Sequence, residues 1–344
     1  MAELHDFPRT RERIDAAVRA GILDGAVILY GDADHDIAEL SHGLADRNRK
    51  RPMSPDTVFD ISSVSKPLGT ATAVLLLAEE GLLDVGRPFT EYLPQYAGNC
   101  PEPVSVLQLA THYSGVEPDM PLGISAGEMM RRMLHSGFPR KPDTEYRYRC
   151  INYHFLGLIV ENLSGQGLAD FARERIFRPL GMTETNWASP LPEVRDRLVI
   201  HGRCVDSDPG VIFDRWARIL YPHAMGNAGI FTTPADVARY ARMILKRGEG
   251  LFRSGIVPRL MFRNLAPAGG KIPRSFGWNL DPAGIPAGLS PETIFHTGSS
   301  GQSLWIDPAE GKYCLVFSNL FGDHDEGIRT RRAIAETFLS EVRA

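Results

Sequence analysis

Cysteine is scarce: Cys100, Cys150, Cys204 and Cys314 are the only four in 344 residues, and they are widely spaced. That spacing excludes a disulfide framework and a thiolate-held metal site, and the residues read as reduced thiols of a cytoplasmic protein. The ten histidines include no His-x-x-x-His pair, so no metal is expected, and no cofactor. No apolar run reaches the roughly 18 residues a membrane helix needs, so no membrane association is expected. Basic charge is not in excess either. With a formal net charge of −4 and scattered lysines and arginines, a nucleic-acid partner is excluded. The short basic stretch at 47–51 reads as a solvated turn. The start of the chain, 1–21, is polar and has no apolar leader core, which adds to the cytoplasmic expectation.

What is present is ordinary globular composition, 43% hydrophobic and 23% charged, over a length that suits one large domain or two interleaved ones. A helix is expected over 12–20. Short apolar runs at 26–30 and 37–41 read as strands. From 64 to 81 the pattern is helical and apolar nearly all round, hence buried, with Pro67 in the first turn and Gly81 as the end cap. The middle of the chain reads as helices parted by Pro/Gly-rich loops. Asn152 is expected to cap a helix running to 162, and Thr233 one running to 246. After 270, β-rich runs at 293–297, 302–306 and 313–318 suggest an antiparallel meander, closed by a helix at 327–342. With strands at both ends and helices between, one sheet built from both termini with a helical insertion is expected. The boundaries read as 1–60 with 265–344 for the sheet half and 61–264 for the mainly helical half, forming one catalytic unit.

Ser63-Val64-Ser65-Lys66 opens the buried helix. Residues three apart lie on one helical face, so the lysine amine sits beside the serine hydroxyl. A free serine is a weak nucleophile and needs such a base. Burial and the helix N-terminus both lower an ammonium pKa, so a partly neutral Lys66 is expected. The same spacing also occurs as a helix cap followed by a solvated lysine, so the pair gains meaning only from its company. Two later segments supply it. Tyr148 lies in a polar loop before the Asn152 helix, and His296-Thr297-Gly298-Ser299 ends a strand. Gly298 would permit close backbone approach of a substrate. The Ser299 N–H could join that of Ser63 as an oxyanion hole.

This ordered set of Ser-x-x-Lys, a tyrosine before a helix and His-Thr-Gly resembles the serine β-lactamase and penicillin-binding-protein superfamily. The likeness is greatest to its class C-like branch of esterases, D-aminopeptidases and transacylases. Segments at 56–67, 107–115, 228–236 and 301–308 extend the resemblance over nearly the whole chain. It implies an α/β (α+β) β-lactamase/transpeptidase-like fold, an antiparallel sheet flanked by helices plus an inserted all-α domain, with the site in the cleft between them. It further implies Ser63 as nucleophile, Lys66 as its base or proton shuttle, Tyr148 as the second acid/base and His296 in the place usually held by lysine.

Three positions depart from that pattern. Cys150 stands where an asparagine amide would read an acylamino side chain, and a thiol is a weak donor. Cys150 reads either as a small apolar filler or as part of the acyl pocket. His296 carries less fixed charge than lysine at neutral pH. Asn227 stands where related hydrolases often carry histidine, and is expected near the cleft wall. Cys150, Asn227, Thr297 and Gly298 are therefore the expected substrate-binding positions. The expected function is a serine acyl hydrolase, esterase- or amidase-like, acting through acyl-Ser63. The alternative is an acyltransferase of secondary metabolism, with β-lactamase, D,D-peptidase and a non-catalytic binding relative behind it. The expected partner is a small-molecule ester, amide or thioester, and the oligomeric state is open. Loops 113–140 and 200–230, with Tyr113, Met120, Trp216 and Tyr221, are expected either to line an apolar acyl site or to pack the helical half.

Overall fold

The computed structural model describes residues 6–202, 204, 208–253 and 255–344. The strands are β1 (Leu23–Asp32), β2 (Asp36–Asp46), β3 (Arg51–Pro52), β4 (Phe59–Asp60), β5 (Asn186–Trp187), β6 (Ile230–Thr232), β7 (Ile294–Gly298), β8 (Gln302–Asp307) and β9 (Lys312–Leu320). They form an antiparallel sheet in the order β3-β2-β1-β9-β8-β7 and a small sheet in the order β4-β6-β5. The large sheet is built from both ends of the chain. Its seam joins β1 to β9, with Ile28 opposite Val316.

Side chains alternate across a strand, and the sheet uses both faces. Ile28, Tyr30, Trp305, Cys314 and Val316 turn to one side, where Ile14 of the helix Pro8–Arg19 and Ile334 and Phe338 of the helix His324–Val342 cover them. Phe7 packs on Phe338 with ring centroids 4.5 Å apart. Val27, Leu29, Leu304, Ile306, Leu315 and Phe317 turn the other way, into the core shared with the helical half.

The expected single helix over 64–81 is three conformations in series. A 3₁₀ turn over Ser62–Val64 leads into a π-type stretch, Lys66–Ala71, and then an α-helix, Thr72–Glu79. Pro67 supplies no N–H to regular pairing, and its carbonyl accepts instead from Thr72 Oγ1 at 2.9 Å and Tyr240 Oη at 3.2 Å. Burial is as expected: Leu68 and Val74 are fully enclosed. Thr233 caps the helix Pro234–Leu245, its Oγ1 accepting from Asp236 N. Asn152 is not a cap. The helix Ile151–Ser164 starts without one, and Asn152 turns inward, donating to His112 Nδ1 at 3.0 Å and accepting from Ser114 Oγ at 2.7 Å. The small sheet was not foreseen, because strands of two or three residues show no periodicity. Among the described residues no helix is long and apolar enough to cross a membrane.

Candidate active site

The turn that carries Ser63 is held from two sides. Ser62 has φ 44°, a left-handed conformation that costs a non-glycine residue about 1–2 kcal/mol. Asp60 stabilises it: one carboxylate oxygen accepts from Ser62 N at 2.8 Å and the other from Phe213 N at 2.7 Å. Burial pushes the Asp60 carboxyl up to about 6, against the two N–H donors that pull it down. From the other side, Ser62 Oγ meets Ser299 Oγ at 2.8 Å, and Ser300 Oγ donates to the Asp60 carbonyl at 2.7 Å. The β7–β8 turn is thereby tied to the turn that carries Ser63.

Lys66 is fully buried. Its ammonium donates to Ser63 Oγ and to the Asn227 carbonyl, both at 3.0 Å. Burial pulls its pKa down, but the neighbouring Cys150, Tyr148 and Asp214 groups outweigh that, and the net shift is upward. This runs against the expectation that burial and the helix N-terminus would leave Lys66 partly neutral.

Tyr148 is 37% exposed, and its ring centroid lies 5.0 Å from Lys66 Nζ. Burial raises the phenol, and the Lys66 charge beside it partly offsets the rise. The ring rests on His112, centroids 4.4 Å apart. His112 is held in turn, its Nδ1 accepting from Arg149 N at 3.3 Å and from Asn152 Nδ2 at 3.0 Å. Burial, with Arg274 and Lys66 nearby, keeps His112 well below the usual histidine range.

His296 lies on β7 with its ring 6.3 Å from that of Tyr148. Its Nδ1 is 3.0 Å from the Thr297 carbonyl. A carbonyl only accepts, so Nδ1 carries the proton and Nε2 is left as an acceptor. Burial first, then the Arg274 and Lys66 charges, hold His296 well below the usual histidine range. It is a neutral imidazole. Ser63, Tyr148, Cys150, His296, Thr297 and Ser299 line one cleft of about 280 Å³, completed by Tyr146, Asp214, Arg274, Asn279, Phe295 and His324. Among the described residues no cluster of His, Cys, Asp and Glu could hold a metal.

A serine under a buried lysine and a tyrosine, beside a His-Thr-Gly strand, is the arrangement the resemblance implied. Residues 10–338 match the family described as Beta-lactamase. The chain belongs to the beta-lactamase family. Among its relatives, Esterase EstB of Burkholderia gladioli is 29% identical over 355 residues, covering 89% of this chain and 88% of that protein. Penicillin-binding protein 4 of Amycolatopsis lactamdurans is 31% identical over 256 residues, covering 71% of this chain and 65% of that one. Solved structures share the fold. EstCE1, described as a hydrolase with promiscuous acyltransferase activity, superposes with a TM-score of 0.76 at 21% identity, covering 95% of this chain and 97% of that one. A class C beta lactamase from Rhodobacter sphaeroides gives 0.76 at 20% identity, covering 97% and 99%.

Within this beta-lactamase-family fold, two expected substrate-binding positions fall elsewhere. Asn227 is fully buried and lies behind Lys66 rather than at the cleft wall, contributing its backbone carbonyl. Gly298 is needed for a different close approach: a Cβ there would stand 2.5 Å from the Ile61 carbonyl, so it is the nucleophile's own turn that packs against it. Of the expected acyl-site aromatics, Tyr113 and Met120 are buried, and Trp216 Nε1 donates to the Met120 carbonyl at 2.9 Å. Met120 and Trp216 pack the helical half, Tyr113 Oη donates to the Ile272 carbonyl at 2.9 Å, and Tyr221 is exposed. Residues 203 and 205–207 of the 200–230 loop lie outside the described residues. Sequence reasoning missed Asp214, Arg274 and Tyr146. Tyr146 had a local signal, an aromatic two residues before Tyr148. Asp214 and Arg274 sit far from every motif and had none.

Proposed function

We propose that this protein is a serine acyl hydrolase, esterase- or amidase-like, working on a small-molecule ester, amide or thioester through an acyl-Ser63 intermediate. The contact that carries the reading is Lys66 Nζ at 3.0 Å from Ser63 Oγ, with the Tyr148 ring centroid 5.0 Å from the same amine. In this reading the pair reacts in the form that is one proton short, Lys66 and Tyr148 sharing a single vacancy, and Ser63 Oγ bonds to the acyl carbon as its proton fills that vacancy. The Ser63 and Ser299 N–H groups receive the oxyanion. As the acyl–heteroatom bond breaks, Tyr148 returns the proton to the leaving group. Water then attacks acyl-Ser63 by the reverse sequence. Neutral His296 helps to orient the tyrosine.

Cys150 beside Tyr148 in the cleft offers no amide to an acylamino side chain, which disfavours β-lactams and peptides. EstB's name supports ester cleavage. Transfer of the acyl group to an alcohol or amine in secondary metabolism uses the same intermediate and differs only in acceptor. The four free cysteines support a cytoplasmic location. We read 1–60 with 265–344 and 61–264 as two halves of one catalytic unit, since both contribute to the cleft.

The test combines a fluorophosphonate probe with a nitrophenyl ester. A single adduct on Ser63 and turnover lost in Ser63→Ala are expected. An inert Ser63 in folded protein would overturn the proposal. Added amine or alcohol that speeds turnover and yields the conjugate would assign the protein as an acyltransferase.

A further inference from the structure

Arg274 is 2% exposed and sits in the wall of the catalytic cleft. Its Nε and Nη2 have no hydrogen-bond acceptor. Among the described residues it forms no ion pair, and its recorded guanidinium contact is with the Tyr146 ring, whose centroid lies 5.7 Å from Cζ. A buried charge without a partner is costly, and proteins normally pair one. Nε and Nη2 form one edge of the planar guanidinium, the edge that matches two carboxylate oxygens. The chain shows this use elsewhere. Arg47 places Nε and Nη2 on the two oxygens of Asp24 at 2.6 and 2.5 Å, and Arg131 places the same pair on Glu128 at 2.8 Å each.

The fold aims this side chain at the site. Arg274 pairs with Asn279 across a short hairpin, and Asn279 pairs with Phe295 of β7. The hairpin therefore extends the sheet edge that carries His296. It is packed tightly against the nucleophile helix, since a Cβ on Gly277 at the turn would stand 2.9 Å from Ala71 Cβ. Asp214 also lines the cleft, its Oδ1 already accepting from Ala217 N at 2.9 Å, and Lys66 is buried beside Ser63.

We propose that Arg274 is the substrate-anion receptor of this cleft, so that the substrate is an acyl compound bearing a carboxylate that seats on the Nε/Nη2 edge while its ester or amide carbonyl lies at Ser63. Tyr146, half-buried on the 142–150 loop, is the side chain that must yield for the carboxylate to reach that edge. The placement of the carbonyl rests on the serine-acyl reading; the binding of the anion does not.

The experiment has two arms. In Ser63→Ala protein, glutarate binding is titrated calorimetrically with and without Arg274→Gln and Arg274→Lys. Saturable binding that is weakened at least about thirtyfold by Arg274→Gln and partly kept by Arg274→Lys is expected, from the loss of a buried charge-assisted pair. In active protein, kcat/KM is compared for nitrophenyl glutarate (anion on the acyl side), carboxyphenyl butyrate (anion on the leaving group) and nitrophenyl butyrate. A preference for one anionic ester over the neutral ester, read as the ratio of their kcat/KM values, that collapses in Arg274→Gln supports the proposal and assigns the side. No glutarate binding, or the same loss for all three esters, overturns it and makes Arg274 a structural support of Tyr146. Inertness toward every ester with glutarate binding intact would sink the hydrolase reading and leave the anion site standing.

Discussion

The backbone carbonyl of Asn227 accepts a hydrogen bond from Lys66 Nζ at 3.0 Å, the same distance at which that amine meets Ser63 Oγ. The Lys66 amine is thus fixed between the Ser63 hydroxyl and a carbonyl 161 residues further along the chain. The geometry of the proposed catalytic pair depends on this seat as much as on the local Ser-x-x-Lys spacing.

Lys66→Met keeps the length of the stem and removes the amine. Turnover of an aryl ester is expected to fall by about 10²–10⁴, the usual contribution of a positioned acid/base. Circular dichroism should still report a folded chain. Activity within tenfold of wild type would end the role given to Lys66.

Asn152→Ala removes the donor to His112 and the acceptor of Ser114, both buried. Leaving such groups unmet costs about 1–3 kcal/mol, which denaturant unfolding can read. Because His112 supports the Tyr148 ring, kcat should drop while KM changes little. Unchanged kcat would show that Tyr148 needs no support from this network.

Gly298→Ala places a Cβ 2.5 Å from the Ile61 carbonyl and 2.8 Å from Gln302 Oε1. Overpacking of this kind costs about 1–3 kcal/mol. The displaced atoms belong to the turn before Ser63, so labelling by a fluorophosphonate should slow along with the loss of stability. Labelling at the wild-type rate would mean that the turn absorbs the methyl elsewhere.

Asp60 supplies a pH signature. Its carboxyl is raised from 3.8 to about 6 in the fold, so the folded protein keeps a proton that the unfolded chain has released. Stability from this group is therefore present below pH 4 and lost as the pH rises to 6, by about 3 kcal/mol. Unfolding of Asp60→Asn, lower in overall stability, should lack this step. Subtracting the two pH profiles isolates it, and parallel profiles would refute the assignment.

Cys150→Ala is expected to leave kcat/KM for esters unchanged, because the side chain only fills the cleft wall. A marked loss, measured with the same nitrophenyl ester, would make the thiol a substrate contact.

The sequence by itself determined the family, the joining of both termini in one sheet and the order of Ser63, Lys66, Tyr148 and His296. These rest on local chemistry: spacing within a turn, alternation along strands, and caps such as Thr233. It misjudged Asn152 because a helix-start asparagine looks the same whether it caps or turns inward. It misjudged the charge state of Lys66 because that depends on Tyr148, Cys150 and Asp214, which are brought together only by folding. Arg274 and Asp214 carried no motif at all. Their place in the cleft follows from a hairpin docked on the edge of β7 and from the 213–214 segment anchored to Asp60. Only the tertiary structure could decide which charges face Ser63, because electrostatic neighbourhood is set by distance in space and not by separation along the chain.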